Sequence, residues 1–99
     1  EQALIKERSV FICSERQRVF AQLEAISGIR PYPSYANFIL FKVDRSVHAI
    51  FQGLIEQGVL IRDVSRYPML DKAMRVTIGT REENEAFLEA LREVVRIVE

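Results

Sequence analysis

The sequence predicts a small α+β fold: a three-stranded, mainly antiparallel sheet with its helices on one face, in the order α-β-α-β-β-α. Three observations predict it. Apolar residues recur at helical spacing before Gly28 and after Thr80. ANFILFKV, from Ala36 to Val43, is aromatic and branched, with polar interruptions only near its ends. Two further β-type runs, LIRD and MRVTIG, follow a second helix-sized stretch.

Each element has its own justification. Residues 2 to about 27 read as the first helix, because no Gly or Pro precedes Gly28 and Ile12, Val19, Leu23 and Ile26 keep a helical period. Val10-Phe11-Ile12-Cys13 is apolar on more than one face, so it is either buried on two sides or covered by a missing partner. Gly28 suits a C-cap, and IRPYPS reads as an extended connector because Pro31 and Pro33 cannot continue a helix. After the Ala36–Val43 strand, Asp44 or Ser46 caps a second helix whose stripe is Val47, Ile50, Phe51 and Leu54, with Gly58 at its stop. Val59 to Arg62 reads as a short strand, residues 63–73 as a loop containing Pro68, and Met74 to Gly79 as the third strand. Thr80-Arg81-Glu82-Glu83 is a capping box that opens the last helix, striped by Phe87, Leu91, Val94, Val95 and Val98. A right-handed β-α-β crossover leaves its two strands parallel, so the third strand belongs between them and antiparallel to both. One sheet face then stays uncovered by the chain's own helices.

Composition narrows the function classes. Ninety-nine residues suit one domain, and 48% apolar with 28% charged residues is ordinary globular usage. Fourteen basic residues balance fourteen acidic ones, leaving no field to draw nucleic acid or an anionic membrane. No apolar run approaches the roughly 18 residues of a membrane span, and the charged start does not read as a signal peptide. A single cysteine, Cys13, allows no internal disulfide and suits a reducing cytoplasm. The sequence opens at Glu1, inside a helical pattern, and so reads as a piece of a longer chain.

Chemistry-bearing residues are few. Arg62 and Arg75, thirteen positions apart, each sit inside an apolar run. Alternation places Met74, Val76 and Ile78 toward the helices and Arg75 with Thr77 on the open face. If the two runs pair, two guanidinium groups converge on one doubly anionic small molecule; otherwise both are solvated surface arginines. His48 has no second histidine and reads as a partly exposed helix residue, and Cys13 reads as a buried, inert thiol. Gly28, Gly53, Gly58 and Gly79 lack the spacing of a phosphate loop, and Glu82, Glu83 and Glu85 suit a helix N-terminus better than an acid/base pair. The sequence holds binding groups but nothing that supplies catalysis or a metal site.

PSYANFILFKV followed by GVLIRDVSRYPMLDKAMRVTIGTREENEAFLEAL closely resembles the C-terminal end of histidinol-phosphate aminotransferases. These are pyridoxal-phosphate enzymes of the aspartate aminotransferase fold. Its most specific parts are Pro33-Ser34 with Ala36-Asn37-Phe38, the Gly58 to Asp63 segment, and Arg75 leading into Gly79-Thr80 and Glu83-Asn84. Lys42 stands where arginine is common and Met74 where leucine is common. The resemblance implies one domain over residues 1–99, the C-terminal small domain of a longer enzyme, with 1–27 as an interdomain helix and 36–99 as sheet and helices. It implies amino transfer between glutamate and imidazole-acetol phosphate, yielding histidinol phosphate, in a cytoplasmic homodimer of histidine biosynthesis. By position, Arg75 matches the arginine that grips the α-carboxylate, and Arg62 matches a group for the second anionic end. The Schiff-base lysine, the aspartate facing the pyridine nitrogen and the cofactor-phosphate ligands lie upstream in that family. Lys6, Lys42 and Lys72 lack that context, so the chain is expected to bind no cofactor, to partner the large domain and to be inactive alone. The alternatives are a threonine-phosphate decarboxylase small domain, which shares the ANF and RD segments, and a stand-alone anion-binding module.

Overall fold

In the computed structural model, residues 2–34, 36–59 and 61–98 are described, with side chains from residue 7 onward. Helices α1 (Gln2–Glu24), α2 (Val47–Glu56) and α3 (Arg81–Ile97) accompany strands β1 (Ile29–Pro31), β2 (Phe38–Val43), β3 (Arg62–Asp63) and β4 (Ala73–Thr77). The strands form one sheet in the order β1-β2-β4-β3, and every adjacent pair is antiparallel. With β4 between β2 and β3 and antiparallel to both, β2 and β3 run parallel, as the β-α-β reading expects. The α+β class and the shared helix face hold. The strand count does not.

The additional strand is β1, in the stretch read as a connector. Gly28, with φ of +86°, turns the chain back after α1, and its carbonyl accepts from the Asp44 amide at 3.0 Å. Ile29, Arg30 and Pro31 then pair with Val43, Lys42 and Phe41. Pro31 lacks an amide proton, which an edge strand tolerates. Three residues are too few to show alternation, so the sequence carries no periodic trace of this strand.

The predicted Val59–Arg62 strand is displaced to Arg62–Asp63, and Leu60 lies outside the described residues. The end of α2 explains the shift. The Val59 amide reaches back to the Leu54 carbonyl at 3.0 Å and the Gly58 amide to that of Ile55 at 2.9 Å. With Gly58 at φ +79°, this is a Schellman stop. Val59 is committed to capping the helix and cannot begin a ladder.

The helix starts follow the sequence closely. Ser46 caps α2, its hydroxyl accepting from the Ala49 amide at 3.2 Å. Both halves of the Thr80–Glu83 capping box form, at 3.1 and 2.9 Å. β4 ends at Thr77, short of the Gly79 end expected from the sequence. Ile39, Phe41 and Val43 from β2, Met74 and Val76 from β4, and Ile78 just after it meet Ile50, Leu54, Phe87, Leu88 and Leu91 in one buried core. The Phe41 and Phe87 rings lie 5.8 Å apart, centroid to centroid, and tilted. Val19 and Leu23 bring α1 into that core. Val10 and Phe11 stay out of it, 68% and 45% exposed.

A charge sits on the buried stripe of α1. Glu15, one turn before Val19, is buried and accepts from Arg18 Nε and Nη2 at 2.9 Å each and from Asn84 Nδ2 at 3.0 Å. Asn84 also accepts from the Gly79 amide at 2.9 Å, and Arg18 reaches Glu85. This network ties α1 to the strand–helix junction at residues 79–85. The Arg18 hydrogen bonds, aided by Asn84 and opposed by burial, pull the Glu15 carboxyl down to about 2.

Candidate anion site on the open sheet face

The register of β3 on β4 sets Arg62 directly opposite Arg75. Directly opposed residues of an antiparallel pair share a face, and in β4 that is the face away from the helices. Its neighbours Met74 and Val76 are buried, whereas Arg75 is half-buried and Thr77 exposed. On the other side, Leu40 of β2 pairs with Arg75 and Phe38 with Thr77. The two candidate residues are thus brought together, in one row across the sheet. Like charges directly opposed destabilise a strand pair. No ion pair among the described residues engages either one.

Local packing shapes the site further. The guanidinium carbon of Arg75 lies 5.1 Å from the centroid of the Phe38 ring, a cation–π contact that holds the fork over the sheet. The chain after β3 folds across the open face, burying Val64 and Ala73. Between this loop and the sheet is a cleft of about 230 Å³, in which both arginines share the lining with Phe38, Leu40, Tyr67 and Leu70. Two convergent guanidinium forks above an apolar floor can hold one molecule carrying two anionic groups, or one dianion.

A larger hollow of about 480 Å³ lies near Gly58, Val76 and the start of α3. The two polar side chains it takes from α3 are already engaged, Glu83 in the capping box and Asn84 with Gly79 and Glu15. The arginine cleft is the better binding site because its charges are unspent.

The remaining candidates do not join it. His48 is exposed on the first turn of α2. Cys13 is half-buried rather than buried, a correction to the sequence reading; its sulfur lies 3.7 Å from Arg16 Nη2 and 3.9 Å from Gln17 Nε2. No cluster of three or more metal-ligating side chains occurs among the described residues. Lys42 pairs with Arg30 and Ala73 in the sheet and Lys72 is exposed, and neither lines the cleft; the side chain of Lys6 lies outside the described residues. The described residues therefore do not fit pyridoxal phosphate, which needs a lysine and a facing carboxylate in one pocket. Tyr67 and Leu70 were missed as lining residues because loop positions carry no periodicity. Glu15 was legible in principle, as an acid on a stripe with Val19 and Leu23 at i+4 and i+8.

Comparison with known proteins follows the same lines. The sequence profile of aminotransferase class I and II matches residues 2–91. The histidinol-phosphate aminotransferase of Aquifex aeolicus is 38% identical over 92 residues, which are 93% of this chain and 26% of that protein. The crystal structure of the histidinol-phosphate aminotransferase from Clostridium acetobutylicum matches with a TM-score of 0.91 at 27% identity, over 99% of this chain and 30% of that one. The L-threonine-O-3-phosphate decarboxylase from Porphyromonas gingivalis matches less fully: TM-score 0.78 and 23% identity over 84% of this chain and 26% of that one, a likeness of fold alone. The chain spans about a quarter of the length of the curated relatives it matches. No described helix is long and apolar enough to cross a membrane.

Proposed function

This chain belongs to the class I and II aminotransferase family, and we propose that it is the substrate-binding C-terminal part of a histidinol-phosphate aminotransferase. The reaction is amino transfer between glutamate and imidazole-acetol phosphate, giving histidinol phosphate. One observation carries the reading: Arg62 and Arg75 are opposed in register on an open face, with no carboxylate of the described residues to neutralise them. Arg75 takes the α-carboxylate of glutamate. Arg62 takes the second anionic end, including the phosphate of the imidazole substrate. Bidentate pairing fixes the substrate's orientation, which a reaction at its Cα–H bond requires. Pyridoxal phosphate, in this reading, supplies the electron sink from a large domain that this small domain closes over. The parent is a cytoplasmic homodimer, and residues 1–27 bridge its two domains.

The decarboxylase alternative is supported more weakly, by a partial likeness of fold. A stand-alone anion-binding module predicts a reading frame without the large domain. Expressing the complete reading frame and assaying histidinol phosphate with 2-oxoglutarate tests the proposal. Turnover by the complete protein, with neither a dialysis-resistant cofactor band nor activity in the 99-residue chain, is expected. A Schiff-base band in the 99-residue chain that one lysine substitution abolishes would overturn it.

A further inference from the structure

Of the described side chains lining the arginine cleft, only Arg62, Arg75 and Tyr67 end in a polar group. The loop presents Tyr67 on a braced backbone. Its amide donates to the Val64 carbonyl and its carbonyl accepts from the Leu70 amide, both at 3.1 Å. One step earlier, the Asp63 carboxylate accepts from the Ser65 amide at 2.9 Å and the Ser65 hydroxyl at 2.6 Å. Pro68 follows directly and narrows the backbone choices of Tyr67. Val64 and Leu70 anchor the loop at either side of it. The backbone that carries Tyr67 is thus braced, and its side chain, 62% exposed, lines the cleft.

The donor count matters chemically. A carboxylate presents two coplanar oxygens, which one guanidinium fork satisfies. A phosphate monoester presents three terminal oxygens in a tetrahedral array, and a donor from another direction is needed for the third. A tyrosine hydroxyl is such a donor, with no charge to repel the arginines. We propose that the Tyr67 hydroxyl is a further donor at the Arg62 end of the anion site and selects a phosphate monoester over a carboxylate there. The inference rests on the reading of Arg62 and Arg75 as anion-binding residues.

The test is an NMR titration of the chain with ethyl phosphate and, separately, propionate, following the Arg Nε–H signals and the Tyr67 amide. Tyr67→Phe keeps the ring and removes the donor. It is expected to weaken ethyl phosphate about tenfold, the low end for a hydrogen bond to a charged group because the site is open to water, and to leave propionate unchanged. Equal weakening of both ligands, or no change in either, overturns the role of Tyr67. Arg62→Ala separates the two levels. If it abolishes ethyl phosphate binding while Tyr67→Phe does nothing, only the tyrosine proposal fails. If Arg62→Ala leaves ethyl phosphate binding intact, the anion site itself is misassigned and the tyrosine proposal falls with it.

Discussion

At the scale of single residues, the proposed site is a local cost accepted in the sheet. Two arginines directly opposed repel, and among the described residues no carboxylate pairs with either of them. Arg75 was legible because strand alternation fixes its side, and Met74 and Val76 bury as that alternation requires. Tyr67 was not, since which way a loop side chain faces depends on tertiary packing. In the complete enzyme, Arg75→Lys keeps the charge and loses both the fork and the seat over Phe38. We expect a loss of about 1.5–3 kcal/mol in transition-state stabilisation with glutamate, read from kcat/KM. Intact glutamate turnover would mean that Arg75 does not hold the α-carboxylate.

At the scale of elements, caps decided more than propensity did. The Thr80 box and the Ser46 cap were readable as short motifs, and both helices begin where those motifs put them. The start of β3 was misplaced because Val59 looks like a strand residue but serves the Schellman stop of α2. Gly58 is the residue that makes this stop possible. A Cβ there meets nothing within 4 Å, so Gly58→Ala costs only the positive φ, about 1 kcal/mol. Thermal unfolding should show that loss as a fall of roughly 4–8 °C in Tm. No change would show that the α2 stop does not depend on a left-handed residue. The α1–α3 contact makes a separate prediction through Glu15. Its carboxyl falls from an ordinary 4.5 to about 2 in the fold, so its stabilisation is complete above about 4.5 and is lost as pH falls toward 2. Glu15→Gln should lower stability by about 1–3 kcal/mol at neutral pH and flatten the acid limb between those values. An unchanged acid limb would show that Glu15 does not contribute to the pH dependence of stability.

At the scale of the whole molecule, the order of elements and the central place of β4 were legible, because hydrophobic period and crossover geometry fix them. The edge strand β1 was not, since its pairing depends on a turn at Gly28 and on β2 as a template. The apolar surplus of α1 was legible too, and the fold leaves Val10 and Phe11 uncovered, Ile12 half-covered; the side chain of Ile5 lies outside the described residues. Exposed apolar patches find partners, so the 99-residue chain should self-associate. Sedimentation velocity should show a concentration-dependent coefficient that Phe11→Glu suppresses, and a monomer at every concentration would contradict this. What needs testing above all is the proposed role of Arg62, holding the phosphate at the second anionic end of the substrate. Its most direct measurement is kcat/KM for histidinol phosphate divided by that for histidinol, in the complete enzyme with and without Arg62→Ala. That ratio should fall about tenfold or more on Arg62→Ala, because only the phosphorylated substrate has a group at that end. An equal loss for both substrates would contradict it.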